Sequence, residues 1–507
     1  MEIEGQRDMN QSIDNDRILA QKYASDFSIP LELAQIVAQR FPMYGDAKKF
    51  LFPELSHLHE PGSIPDMTKA TEEILKSIRA GEGILIYSHD DVDGHTSAAI
   101  MYQTLIDLYR QEHCPVYVYS IIREKDGYTL NPDVLREYKR KGVKLILTVD
   151  FGISNAANFR VAEQEGLKLV VCDHHETSSR DFPVPAVNPK RADSRYPFRE
   201  LAGVGVTFKL AQSLYQTAFN LTTEEFCHLK KIFFPAVLIG TLSDRVLLRE
   251  ENRLFCVHGL NVVQKIDEPW VRFFGKHEGI DITTVTSEII PILASATYVD
   301  PNLGVGILVS RDEAYIAEAV ARLKLAGAER TDAVELLFRE TLAAAKIFPN
   351  VVIAVIPFSR QQHLGPVSSR LREYFKRTSV VIGLQNEKCY GELRSYRGNL
   401  YEMLYSLSEL FLNFGGHQKA AGFSMCRENL DTFIERVLMY VEDRGDEVLN
   451  ATVPPPEVFL NRADISVLSP LMPFGEGNPA PVLTDGVSVY TIDNKFNIIE
   501  HGVYGKP

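Results

Sequence analysis

Four short stretches of this chain concentrate carboxylates and imidazoles, the groups that bind metal ions and move protons. "SHDDVDGHTS" places one histidine and three aspartates in five consecutive positions, His89 to Asp93, directly after the apolar run "ILIY". "LILTVDFG" carries Asp150, "LVVCDHHE" carries Asp173, His174 and His175, and "AVLIGTLSDRVLLREENR" carries Asp244. A lone aspartate in such a place commonly caps a helix or sits in a solvated turn. Several carboxylates and histidines facing one crevice are different, because like charges within a few ångströms repel and need a cation between them. His89, Asp91, Asp93, Asp150, His174 and Asp244 offer enough ligands for two divalent ions sharing a bridging carboxylate. Two ions about 3.5–4 Å apart clamp the attacking and leaving oxygens of a phosphoryl transfer. Mixed imidazole and carboxylate ligands suit Mn²⁺, expected ahead of Mg²⁺, better than Ca²⁺. A calcium loop of the EF-hand type is excluded, since no glutamate closes it whether the count starts at Asp90 or at Asp91.

Such residues converge only if the elements beneath them allow it. From "GILIYS" onward, short apolar strands alternate with helices: "TSAAIMYQTLIDLYR", "VKLILTVD", "SNAANFRVAEQEG", "LKLVVCD". Fully apolar strands interleaved with helices predict a parallel sheet covered on both faces. The carboxyl ends of its strands then form the ligand crevice, which is where the first three stretches place their charges. The apolar run before Asp244 also reads as strand-like and would close the same crevice. Residues 1–80 read as an N-terminal helical segment, 81–255 as the catalytic α/β domain, 256–348 as a helical connector, 349–447 as a second, smaller α/β domain, and 448–507 as a proline-led linker with a short final module. The segment "EAYIAEAVARLKLAGAERTDAVELLFRETLAAAKIF" can hold one long helix or two.

Composition narrows the class. At 507 residues the chain exceeds one core and predicts roughly three domains. No apolar run is long enough to cross a membrane, and the polar start "MEIEGQRDMNQSIDNDR" does not read as a secretory signal. The six cysteines (Cys114, Cys172, Cys227, Cys256, Cys389, Cys426) are scattered, with no C-x-x-C pair. That pattern argues against a disulfide framework or zinc cluster, and a cytoplasmic protein is expected. With a net charge of −13, nucleic acid would have to be bound through local basic surface or through metals.

The motifs also carry a resemblance. "SHDDVDGHTSA", "TVDFGIS", "CDHHE" and "GTLSDRVLLREENR", in this order and spacing, resemble the four motifs of the DHH phosphoesterase superfamily. "LFPELSHLHEPGSIPDMTKATEEI", "YPFRELAGVGVTFKL", "FGGHQKAAGF" and "PFGEGNPAPVL" are similar to segments of its RecJ-like branch, the single-strand-specific exonucleases. The resemblance implies an α/β protein: a parallel-sheet DHH catalytic domain, a long helical connector, a smaller DHH-associated domain closing over the crevice, and a short, partial OB-like C-terminal segment. It implies Asp91, Asp93, Asp150, His174 and Asp244 as ligands. His89 stands where the family usually has aspartate and is retained as a ligand. His175 would contact the scissile phosphate and, with Asp150 and Asp244, form the catalytic group.

The second domain has candidates of its own. In "FGGHQKAAGF", Gly415 and Gly416 let backbone amides approach an anion, and His417 adds a donor; a plain glycine turn is the bland alternative. Between Ser359 and Gly398, eight Lys or Arg stand against three Glu, among them Arg370 and Arg394, a plausible backbone-binding face. In "REKDGYTL", Tyr128 reads as a base-stacking platform and Arg123 as a phosphate ligand, against a solvated loop.

Several positions depart from the family. "GELRSY" puts Glu392 where a serine is usual beside the retained Arg394; "PILASATYVDP" has Ala294, Thr297 and Tyr298 in place of an N-A-A-G-R motif; and Phe151 replaces an asparagine. The reading expected is a metal-dependent exonuclease on single-stranded nucleic acid, DNA ahead of RNA, acting 5′→3′ in repair or recombination as a monomer, with repair or replication proteins as further partners. The alternatives are a phosphodiesterase on short oligonucleotides or small phosphoesters, and a non-catalytic replication or repair scaffold.

Overall fold

The computed structural model describes residues 16–109, 115–127, 129–177, 179–275, 279–357, 361–396, 398–416, 418–442 and 456–503. It contains three sheets. The first comprises β1 (Gly83–Ser88), β2 (Val116–Ser120), β3 (Val143–Val149), β4 (Lys168–Cys172) and β5 (Ala186–Val187). The second comprises β6 (Ala345–Ile347), β7 (Val351–Pro357), β8 (Thr378–Gln385), β9 (Lys388–Arg394), β10 (Phe411–Gly416) and β11 (Ala420–Cys426), and the third β12 (Val458–Phe459), β13 (Leu483–Thr484), β14 (Ser488–Ile492) and β15 (Ile498–Val503). The chain divides into two compact units, Met1–Lys324 with Pro454–Pro507, and Leu325–Val453.

The first sheet is parallel throughout, in the order β2-β1-β3-β4-β5. Its strands read as continuous apolar runs because both faces are covered. Ile84, Ile86, Leu145 and Leu147 enter one core with the helices Val92–Leu108 and Gly203–Phe219, while Leu85, Tyr87 and Ile146 enter another with Leu135 and Ala162. The order reverses between β1 and β3, and a ligand crevice opens at such a switch point.

The run before Asp244 corrects the strand-like reading: Phe234–Asp244 is a helix, packed against the helices Glu250–Val263, Val92–Leu108 and Gly203–Phe219. An apolar run buried on every side has no periodicity by which strand and helix can be told apart. The ambiguous segment after residue 312 is one helix, Glu313–Ala344.

The first and last segments share a core. Tyr23, Leu33, Ile36, Val37 and Phe50 pack with Leu460, Leu468, Leu471, Leu483 and Tyr490. Arg40 and Glu457 form a two-pronged ion pair, with Nε and Nη2 each 2.8 Å from a carboxylate oxygen. Arg253, buried, donates to the carbonyls of Phe50, Pro470, Leu471 and Met472. The third sheet is open, in the order β12-β13-β14-β15, and two of its strands have only two residues.

The second unit holds the mixed sheet β10-β11-β9-β8-β7-β6, in which only β7 and β8 run parallel. Helix Gln361–Phe375 packs on one face through Leu364, Val367 and Leu371. On the other face Leu400, Met403, Phe433 and Val437 cover β8, β9 and β11.

Candidate metal centre

Each charged residue of the crevice is fixed by a local backbone device. Asp91 caps helix Val92–Leu108, its Oδ1 accepting the Gly94 amide at 2.9 Å. Asp93, two residues on, faces the start of a second helix: Oδ2 accepts the Gly203 amide at 2.7 Å and Oδ1 the Val204 amide at 2.8 Å. Unpaired amides at a helix N-terminus are natural partners of a carboxylate. Asp150 follows β3 with φ 61°, a left-handed conformation costly for a residue with a Cβ and concentrated at functional sites. His174 and His175 follow β4, and Asp244 ends its helix.

These groups come together. His89 Nδ1 lies 2.9 Å from Asp91 Oδ2 and 3.9 Å from Asp150 Oδ2. His174 Nε2 lies 3.2 Å from Asp150 Oδ1, 3.6 Å from Asp244 Oδ2 and 3.9 Å from Asp93 Oδ2. Three donor sets have all their ligand atoms within 4.8 Å of one another: His89, Asp91 and Asp150; Asp93, His174 and Asp244; and Asp150, His174 and His175. The first two sets share no residue, and Asp150 reaches both sides.

The donor chemistry fits divalent cations. His174 Nδ1 is 3.1 Å from the Leu201 carbonyl, which can only accept, so Nδ1 carries a proton and, in the neutral imidazole that can bind a metal, Nε2 presents a lone pair. That lone pair faces Asp150 Oδ1, a buried oxygen that accepts no hydrogen bond among the described residues. Two acceptors 3.2 Å apart repel unless a cation or proton lies between them. Burial and then the neighbouring carboxylates push Asp150 and Asp244 well above the usual carboxylate range. Burial, then Asp91, raises Asp93 to about 7 against the opposing pull of the Val204 and Gly203 amides.

Close packing holds this arrangement. A Cβ on Gly203 would lie 2.4 Å from Asp150 Oδ1, and one on Gly240 2.8 Å from Asp93 Oδ1, so both positions require glycine. Thr297, one of the departures from the family motif, donates to the Asp90 carbonyl at 2.6 Å and steadies the acidic loop. Phe151 is buried in the core, its ring 5.6 Å from that of Tyr87.

Behind the site, Asp173 is fully buried and accepts the amides of Ile153, His174 and His175. Its Oδ1 is also 2.7 Å from His175 Nδ1. Burial pushes Asp173 up, but His175, then His174 and the Ile153 amide, outweigh it and hold the carboxyl well below the usual range. Asp173 is therefore an orienting carboxylate for His175, a role its place in "CDHHE" does not announce. The Leu201 carbonyl and the Gly203 and Val204 amides were equally hidden. Their only signal was the glycine pair in "LAGVGV", which marks a close approach without saying to what.

The predicted substrate residues are less uniformly placed. Arg394 Nη1 is 2.9 Å from Glu392 Oε2, the two side chains being separated by one residue on β9. Arg370 is engaged elsewhere, 2.7 Å from Glu335 Oε2 and over the Phe338 ring at 4.2 Å. Gly415 and Gly416 end β10 rather than forming a turn, paired with Gly422 and Ala421. Gly416 has φ 135°, and a Cβ there would meet the Ala420 carbonyl at 2.4 Å. Arg123 begins the four-residue helix Arg123–Asp126, but its side chain, like Tyr128 and His417, lies outside the described residues.

Comparison with known proteins bears on the family and the fold. Residues 83–241 match the DHH family, N-terminal domain, and residues 349–443 match the DHHA1 domain. The single-stranded-DNA-specific exonuclease RecJ of Bacillus subtilis is 30% identical over 470 residues, which cover 89% of this chain and 58% of that protein. The chain thus spans less than two thirds of that relative. RecJ of Dickeya dadantii is 26% identical over 476 residues, 87% of this chain and 80% of that one. A crystal structure of RecJ from Thermus thermophilus in complex with Mn²⁺ matches with a TM-score of 0.77 at 23% identity, covering 96% of this chain and 73% of that chain. That likeness establishes the fold.

Proposed function

Because the chain belongs to the DHH family in its RecJ-like branch, we propose that it is a metal-dependent exonuclease acting on single-stranded nucleic acid, DNA ahead of RNA, in the 5′→3′ direction. One observation carries the reading: the His174 lone pair, the bare Asp150 oxygen and the Asp93 and Asp244 carboxylates converge on one point that needs positive charge. His89, Asp91 and Asp150 would hold one ion and Asp93, His174 and Asp244 a second, with Asp150 bridging. Bound divalent ions, Mn²⁺ ahead of Mg²⁺, supply an activated water and neutralise charge on the phosphoryl group.

The chain's own residues supply the rest. Asp173 holds His175 Nδ1, so contact with a phosphate oxygen falls to Nε2. The Leu201 carbonyl keeps His174 in the tautomer that presents a lone pair. The Gly203 and Val204 amides hold Asp93 by both oxygens and leave it no freedom to turn away. A role in DNA repair or recombination, in the cytoplasm, follows from this reading.

A second reading, hydrolysis of short oligonucleotides, is favoured by one observation: Arg394 is already paired with Glu392. Degradation of single strands, labelled at the 5′ or the 3′ end, in Mn²⁺ and in Mg²⁺, separates the two. Release of mononucleotides from the 5′ end of long strands supports the exonuclease. Turnover confined to strands of a few nucleotides selects the second reading, and no turnover of either overturns both.

A further inference from the structure

Lys190 belongs to none of the metal-binding sets, yet its ammonium is buried beside the centre, with 9% of the side chain exposed. Nζ lies 3.0 Å from Glu176 Oε1 and 3.6 Å from Glu200 Oε2. Those partners are not incidental. Glu176 directly follows His175, and Glu200 directly precedes Leu201, whose carbonyl sets the His174 tautomer. One ammonium therefore spans the seam between the segment carrying both histidines and the segment carrying Leu201, Gly203 and Val204.

The loop that carries Lys190 is bound into the same seam. Asn188, fully buried, accepts the Lys190 amide at 2.7 Å and donates to the His175 carbonyl at 2.9 Å. The Lys190 carbonyl in turn accepts from Arg199 Nη2. Burying a long cationic side chain is costly unless it is paired, and here the pairing joins two backbone segments that must keep register.

We propose that Lys190 is a positioning residue of the metal centre, locking the His174–His175 segment to the Leu201–Val204 segment so that His174 and Asp93 meet the ions in one geometry. The inference rests on the metal-centre reading above. Its electrostatic sign makes it separable from a simple charge effect. Lys190 is a buried cation next to the segment that carries His174 and His175, so its field alone repels an incoming cation. If charge were its whole contribution, removing it would tighten metal binding; if it positions ligands, removing it weakens binding.

The test is titration of the full chain with Mn²⁺ by isothermal calorimetry, alongside the melting temperature of the metal-free protein. Lys190→Met is expected to weaken Mn²⁺ binding about tenfold or more, the scale of lost outer-sphere support, with Lys190→Arg recovering most of it. Unchanged or tighter binding in Lys190→Met overturns the proposal. If that variant does not fold, the double variant Glu176→Gln, Glu200→Gln decides, since it severs the same bridge at two partly exposed positions. It is expected to bind Mn²⁺ more weakly, and wild-type affinity in it overturns the proposal. A wild-type chain that binds no Mn²⁺ sinks the metal-centre reading itself, and this inference with it.

Discussion

Asp150 Oδ1 and His174 Nε2 face each other at 3.2 Å, a contact that only a cation or a shared proton can hold together. The Leu201 carbonyl accepts from Nδ1 and so turns Nε2 toward Asp150, and both residues are buried. The fold gives up stability to hold this contact, and several outcomes follow.

Asp150→Ala removes the carboxylate that reaches both donor sets. Nuclease activity in Mn²⁺ should fall to the background of the assay. The metal-free protein should melt at the same or a higher temperature, because a buried carboxylate pressed by Asp93, Asp91 and Asp244 is gone. A variant that keeps substantial activity removes Asp150 from the bridging role.

The raised carboxylates set the pH response of the metal-free protein. Asp93, at about 7, together with Asp150 and Asp244, holds protons in the folded state that the unfolded chain has already released above about pH 4. Their contribution is fully present below the unfolded value and is lost as pH rises through the folded one. Asp173 has the opposite sign: its stabilisation is present at higher pH and lost on acidification below the unfolded value. Melting temperature without metal should therefore fall between pH 5 and pH 8, while Mn²⁺ affinity rises over the same range as protons are displaced. A melting temperature that climbs across that window contradicts the assignment.

Gly203→Ala tests the closeness of the packing. Its Cβ would stand 2.4 Å from Asp150 Oδ1, and backbone atoms cannot yield there without moving the amides that hold Asp93. Displacing either ligand by about an ångström is expected to cost on the order of a hundredfold in kcat. Circular dichroism should stay near that of the wild type, which separates a displaced ligand from an unfolded domain.

Glu392→Ser tests the second unit. In the wild type the Arg394 guanidinium is paired with Glu392, so a terminal phosphate docking there must displace a carboxylate of like charge. The wild-type enzyme should show little preference for 5′-phosphorylated over 5′-hydroxyl strands. The substitution should raise that preference about tenfold, since one opposed charge near a partly buried phosphate is worth about 1–2 kcal/mol. A wild type that already prefers the phosphate by more than tenfold, with no gain on substitution, sinks this role for Glu392.

The features legible in the order of residues were chemical and local. Alternating apolar strands and helices imposed a parallel sheet, and the rule that strand ends gather at one crevice placed His89, Asp91, Asp93, Asp150 and His174 together. Those properties depend on residue type and short-range order, and both are written along the chain. Relationships between segments that share no periodic signal emerge only in the packed chain. The run before Asp244 is a helix because neighbours surround it, and burial on all sides erases the pattern that distinguishes helix from strand. The first and last segments form one core across more than 400 residues of sequence, as Arg40 and Glu457 show. The His174 tautomer depends on a carbonyl 27 residues away, and the pairing of Arg394 with Glu392 depends on side chains turning toward one another along β9. A hydrogen bond or a steric fit is a property of atoms in space. Sequence supplies the donors and acceptors, and only the packed chain determines which of them meet.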